Sequence, residues 1–141
     1  MNNLKSVLLA VTGVVSSAAS ALLGGFDMSL VTLLIFMAID YVTGLIVAGV
    51  FHKSQKSRTG ALESRAGWKG LGRKGVTLLI VLVAARLDIL LGVTFVRDGV
   101  VIAYIVNELL SIVENAGLMG IPIPDAVKNA IEALKTKEKN K

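Results

Sequence analysis

The chain contains no cysteine, which excludes disulfide frameworks and thiolate metal centres and leaves the redox compartment open. Its single histidine, His52, removes His-pair metal sites and disfavours a histidine-based triad. Aromatic residues make up 5% of the sequence and charged residues 18%, against roughly a quarter charged in an ordinary soluble domain. Hydrophobic residues reach 54%, and the mean hydropathy is +0.72. A chain of 141 residues with this balance reads as one small domain whose solvent is lipid. The net charge of +5 is compatible with nucleic acid in principle. Its positive residues, however, fall in a loop and a tail beside apolar runs, where anionic headgroups account for them more simply. No nucleic-acid partner is expected.

What is abundant is organised around the stretch 52–74. It carries Lys53, Lys56, Arg58, Arg65, Lys69, Arg73 and Lys74 against one acid, Glu63. Short loops rich in Lys and Arg stay on the cytoplasmic side of a membrane. With an apolar run on each side, this stretch reads as a cytoplasmic loop, and its basic residues as topology and headgroup determinants. Trp68 suits the headgroup level, where its ring is covered and its N–H is wet. The glycines of Gly67-Trp68-Lys69-Gly70-Leu71-Gly72 lack the spacing of a phosphate loop and read as a flexible entry to the membrane.

Four apolar segments follow from the pattern, at about 6–26, 28–51, 75–95 and 99–119. A span of about 20 residues crosses a hydrocarbon core of roughly 30 Å. The first segment is diluted by small residues: Gly13, Ser17 and Ala21 recur every fourth position, as do Ser16, Ser20 and Gly24. Such stripes let another helix approach closely. A signal peptide cleaved near Ala19-Ser20-Ala21 is the competing reading, disfavoured by the apolar segment that follows at once. Gly24-Gly25-Phe26-Asp27 reads as a tight external turn. In the second segment Asp40, Gly44 and Ala48 share a face, and a carboxylate there must be protonated, paired or turned to protein or water. In the third, Arg86 and Asp88 interrupt the run. Asp40 lies 12 residues before His52 and Arg86 lies 12 after Lys74. If both helices enter at the loop ends, each charge sits about 18 Å deep, and an Asp40–Arg86 ion pair is expected.

The fourth segment is polar on one side, through Asn107, Ser111 and Glu114, with Glu108 and Asn115 beside them. Either it spans with that side inward or it lies along the interface, so three or four spans are expected. Pro122 and Pro124 end it. A short amphipathic helix opens at Asp125, with Val127, Ala130, Ile131 and Leu134 on one face, and a frayed basic tail runs from Lys135 to Lys141. The expected organisation is therefore an all-α integral membrane protein: a transmembrane domain over 1–121, then an amphipathic helix and charged cytoplasmic tail over 122–141. Both termini are placed in the cytoplasm.

Nothing in the pattern supplies a cofactor, metal or catalytic constellation, and a non-enzymatic protein is expected. Asn107-Glu108 and Glu114-Asn115 resemble the acidic and amide residues of small integral-membrane lipid kinases, but no second acidic cluster completes a metal site. A small proton-coupled exporter of the multidrug type, using Asp40 or Glu108 as its buried carboxylate, is the stronger alternative.

In their order and spacing, several pieces resemble the bacteriophage holin family, which includes clostridial toxin-release holins. They are Asp40-Tyr41-Val42-Thr43-Gly44-Leu45, then Gly70-Leu71-Gly72-Arg73-Lys74 leading into Val76–Asp88, then Tyr104 to Asn115, and 122–134. The resemblance implies a protein that oligomerises with itself in the bacterial cytoplasmic membrane and opens lesions. These would release a murein-degrading endolysin or another cytoplasmic cargo, with an antiholin as a further partner. On that reading Asp40, Arg86, Asp88, Asn107, Glu108, Ser111, Glu114 and Asn115 are intramembrane or pore-facing polar groups, of which Asp40, Arg86, Asn107, Glu108 and Glu114 are hidden at rest and face the pore on triggering. Gly13, Ser16, Ser17, Ser20, Gly24 and Gly44 serve helix packing. The weakly apolar first segment is expected to be able to leave the bilayer or change partners on triggering.

Overall fold

The computed structural model describes residues 2–140 and is all-helical among them. In chain order the helices are α1 (Asn2–Leu22), α2 (Met28–Gly49), α3 (Ser64–Leu91), α4 (Phe95–Leu118) and α5 (Asp125–Lys139). Two of them, α1 and α2, are long and apolar enough to cross a membrane. Helices α3 and α4 match the third and fourth apolar segments but carry more charge.

The packing centre is α4, which lies against α2, α3 and α5, while α2 and α3 touch each other much less. The core is built where helical periodicity brings apolar residues to one face. Leu30, Leu33 and Met37 of α2 meet Val101 and Ile105 of α4 and Val81 of α3, all buried. The opposite faces of α2 and α3 are apolar and exposed, through Ile35, Ile39, Val42 and Ile46 on one and Leu79, Ile80, Val83, Leu87 and Leu90 on the other. That is the inverse of a soluble bundle. Burial of apolar side chains provides little net drive in lipid, so close packing and internal polar contacts hold such a bundle together.

The boundaries differ from the sequence reading in three places. Helix α3 starts at Ser64, ten residues before Lys74, so much of the basic stretch is helix rather than loop. Gly67 and Gly70 belong to this helix and are not a flexible entry. Their missing side chains form a slot in which the Tyr41 ring lies, with the Tyr41 hydroxyl donating to the Gly67 carbonyl at 3.4 Å. The expected frayed tail is helical as far as Lys139, and Lys141 lies outside the described residues.

Helix α1 stands apart. It has no buried residue, and its only packing is a slight contact with α3. Gly13, Ser16 and Ser17 are exposed, Ser20 is half-buried, and among the described residues nothing lies within 4 Å of a β-carbon placed on Gly13. Gly24 is not part of that helix at all, since α1 ends at Leu22. Gly24 forms the turn instead, at φ 82°, where a β-carbon would sit 2.7 Å from the Arg97 side chain. Glycine is required there on both counts.

Candidate functional site

A charged network inside the bundle

Helices α2, α3 and α4 each contribute one charged side chain to a single point inside the bundle. The Lys74 ammonium donates to Asp40 Oδ2 at 2.7 Å and to Glu108 Oε2 at 2.6 Å. Both are short, charge-assisted hydrogen bonds. Asp40 is 5% exposed and Glu108 6%, so neither carboxylate has much water of its own. Asn115, also buried, donates to Asp40 Oδ1 at 3.1 Å, to the Asp40 carbonyl at 3.3 Å and to Thr43 Oγ1 at 2.8 Å. Gly44 lies one turn along α2 from Asp40. A β-carbon on Gly44 would stand 3.8 Å from the Asn115 amide nitrogen, an ordinary contact distance.

A cavity of about 380 Å³ opens beside the network towards the end that carries the basic loop. Lys56, on the loop between α2 and α3, overhangs it. Its ammonium lies 3.9 Å from Asp40 Oδ1 and donates to Ser111 Oγ at 3.5 Å. Asn107 and Glu114 line the same cavity and are exposed. The loop keeps its shape through Glu63, which accepts from the Thr59 amide at 3.2 Å and its hydroxyl at 3.0 Å. Two lysines thus face two buried carboxylates, and the cluster is close to neutral. A buried ion pair is tolerable only when its remaining hydrogen-bonding capacity is met, and Asn115 supplies part of that.

A lock at the opposite end

The other end of the bundle is closed by Arg97, which is 6% exposed. Its guanidinium donates to Asp27 Oδ2 at 2.8 Å, Asp27 Oδ1 at 3.3 Å and the Gly25 carbonyl at 2.9 Å, and through Nε to the Leu23 carbonyl. Its backbone amide and that of Val96 donate to the two oxygens of Asp88, at 3.0 and 2.9 Å. Asp88 therefore caps the first turn of α4, which is left with orphan amides like any helix start. Asp27 does the same for α2, accepting from the Leu30 amide at 2.9 Å. The hydrogen bond from Arg97 holds the Asp27 carboxyl below the usual carboxylate range, against the opposing effect of its partial burial.

Where the expected residues fall

Of the expected intramembrane groups, Asp40, Glu108, Ser111, Asn107 and Glu114 line the cavity, Asn115 is bonded to Asp40, and Asp88 joins the opposite lock. Arg86 does not take part. It is exposed on α3, and the cation paired with Asp40 is Lys74. The expected Asp40–Arg86 pair assumed that α3 enters the membrane after Lys74, whereas the helix begins at Ser64 and carries Lys74 inward to the level of Asp40. Lys53, Arg58, Arg65, Trp68, Lys69 and Arg73 are exposed. Lys74 instead turns to the interior, and Lys56 is exposed but reaches over the cavity to within 3.9 Å of Asp40. Arg97, Asp27 and Tyr41 were not singled out. For Arg97 and Asp27 the one available signal was opposite charge at two inter-segment positions that the topology puts on the same side.

Over residues 17–136 the sequence matches the bacteriophage holin family. The chain belongs to that family. Relatives of this holin-family chain include an uncharacterized 14.9 kDa protein in the nagH 3' region of Clostridium perfringens. It is 40% identical over 117 residues, covering 82% of this chain and 83% of the relative. The uncharacterized protein BH0965 of Halalkalibacterium halodurans is 41% identical over 131 residues, covering 89% and 91%. The uncharacterized protein Lmo0128 of Listeria monocytogenes is 36% identical over 111 residues, covering 78% and 74%. No solved structure matches. The holin family is not a family of enzymes, and membership together with two span-length apolar helices indicates a membrane protein.

Proposed function

We propose that this chain is a phage-type holin. It accumulates as a multi-pass protein in the bacterial cytoplasmic membrane, self-associates, and opens lesions through which an endolysin or another cytoplasmic cargo leaves. The observation that carries this reading, beside family membership, is a bundle with apolar outer faces on α2 and α3 and an ionised network inside it. Such a bundle can rest in lipid with its charges internally paired. It also holds the polar side chains needed to face water if the helices separate. With the basic loop in the cytoplasm, the Lys74 network and its cavity lie towards the cytoplasmic side and the Arg97 lock lies outside.

The proton-coupled exporter reading uses the same Asp40 and Glu108. Lys74 holds both carboxylates at once, so a proton-exchange cycle would have to break that bridge at every turnover. A protein that opens once has no such requirement.

The test is induction in a bacterium beside a cytoplasmic endolysin lacking its own export signal, with turbidity and membrane potential followed together. A delayed, abrupt loss of potential, with lysis only when endolysin is present, is the expected result. Steady growth at full potential would refute the proposal and turn attention to drug or proton flux in vesicles.

A further inference from the structure

Helix α5 does not continue away from the bundle. After the turn over 119–124 it doubles back, so that Ile131 is buried and Leu134 packs against the core formed by Leu30, Leu33, Met37, Val81, Val101 and Ile105. Its 15 residues extend about 22 Å. Ile105 lies 13 residues before the end of α4, or about 20 Å along the axis. The second half of α5 is therefore level with the middle of α4, and in a spanning bundle that is hydrocarbon depth. Yet the outer face of α5 is charged and exposed, through Lys128, Asn129, Glu132, Lys137 and Lys139. The outer faces of α2 and α3 at comparable depth are aliphatic. The two flanks of one bundle therefore call for different solvents.

On the holin reading above, we infer that the α5 flank faces water and that docked α5 forms the wall of the lesion's aqueous lumen. A single chain dispersed in lipid has no water on that flank, and lysines at that depth against acyl chains are strongly disfavoured. In the dispersed state α5 instead lies on the cytoplasmic surface, with Val127, Ile131 and Leu134 downward and its lysines among headgroups. The turn over 119–124 is the joint, containing Gly120 at φ 78° and two prolines that keep α4 from continuing into α5. Assembly and docking of α5 are then one event: subunits that meet flank to flank supply the water that α5 needs.

The absence of cysteine makes the test direct. Two full-length variants, Leu134→Cys on the packed face of α5 and Thr136→Cys on its outer face, are labelled with a small environment-sensitive fluorophore. Each is reconstituted into phosphatidylethanolamine–phosphatidylglycerol vesicles holding a fluorescent dextran, with nitroxide lipids placed shallow or mid-chain. In vesicles that release dextran, the Leu134 label is expected to be shielded from shallow nitroxide and the Thr136 label to be unquenched by mid-chain nitroxide. In dilute, non-releasing vesicles, quenching of the Leu134 label by shallow nitroxide at least doubles. Two results in releasing vesicles overturn the assignment: a Leu134 label still quenched by shallow lipid, so that α5 has not docked, or a Thr136 label quenched mid-chain, so that the flank faces lipid. If labelling at Leu134 disturbs packing, the Thr136 result still decides between water and lipid. No release at any loading would count against the holin reading itself, and the lumen assignment would fall with it.

Discussion

Replacing Lys74 by Met removes the one cation that two buried carboxylates share, and the size of the effect follows from the geometry. Asp40 and Glu108 each lie within 2.7 Å of the same ammonium, so without it they face one another across a few ångströms. Stranding half of a buried pair typically costs about 3–5 kcal/mol. The variant has an escape, which is to protonate one acid. Taking up a proton at pH 7 by a glutamate with the ordinary solution value of about 4.3 costs about 3.7 kcal/mol. That figure is a ceiling near pH 7, and Lys56, 3.9 Å from Asp40 and half-exposed, lowers it by swinging inward. An expected loss of about 3 kcal/mol results. The ceiling falls by about 1.4 kcal/mol for each pH unit towards 5, because the folded variant binds a proton that the unfolded chain lacks. The assay is reversible unfolding in mixed micelles at pH 7 and pH 5, comparing the parent, Lys74→Met, and the triple neutral variant Asp40→Asn, Lys74→Met, Glu108→Gln. The triple variant should recover most of the loss, since no charge is left stranded. A triple variant as unstable as Lys74→Met, or a deficit identical at both pH values, would refute the electrostatic account and leave lost packing as the cause.

Gly24→Ala should cost more than Gly25→Ala, although both sites have positive φ, because only the first places a methyl 2.7 Å from the Arg97 side chain. A left-handed alanine alone costs about 1–2 kcal/mol, so the difference between the two variants in the same unfolding assay isolates the clash. Arg97→Lys should fail to restore the lock lost in Arg97→Ala, since an ammonium cannot serve Leu23, Gly25 and Asp27 from one fork. Asp27 makes the stability acid-sensitive. Its carboxyl is held below the ordinary range, so its contribution is complete above the unfolded-state value of 3.8 and is lost as pH falls through the lowered folded-state value. Asp27→Asn should flatten the acid limb of an unfolding profile between neutral pH and pH 3. Asn115→Leu should weaken the bundle by about 1–3 kcal/mol, the cost of leaving Oδ1 of the buried Asp40 carboxylate without its close donor.

The helices were legible because their pattern is local. Apolar runs, proline stops and an Asp at the start of α5 need no tertiary information, and each of the four apolar runs became a helix. The same held for Asp40, Glu108 and Asn115: a carboxylate or amide on a largely apolar helix has to be satisfied somewhere, so its burial could be expected. The partner could not be read. A lysine at the end of a basic stretch carries the same local signal whether it meets headgroups or an interior acid. Only the start of α3 at Ser64 turns Lys74 inward, and the glycines that mask this helix in the sequence are the ones that accept the Tyr41 ring. The Arg97 lock was hidden for a related reason. Two of its acceptors are backbone carbonyls of a turn seventy-odd residues away, and these leave no mark on side-chain composition.

The two polar clusters also decide which parts of the chain are free to change partners. Arg97 fastens the turn after α1 to α4, and Lys74 fastens α2, α3 and α4 together. Because both are satisfied within one chain, the folded protomer does not need neighbours in order to hide the charges of these two clusters, and self-association has to be driven from outside them. Two elements lie outside them. Helix α1 has no buried residue and carries a small-residue face open to another helix, and α5 is joined by the turn over 119–124 and carries a charged outer face. If triggering acted by breaking the Lys74 bridge, Lys74→Met should advance lysis. If it acts through α1 and α5 while the three-helix core stays intact, Lys74→Met should mainly lower the amount of folded protein, and lysis time should track that amount. Measuring lysis time against membrane-inserted protein across an expression series distinguishes the two. A Lys74→Met curve that falls on the parent curve places the moving parts at the periphery, and a curve displaced to earlier times at equal protein places them in the core.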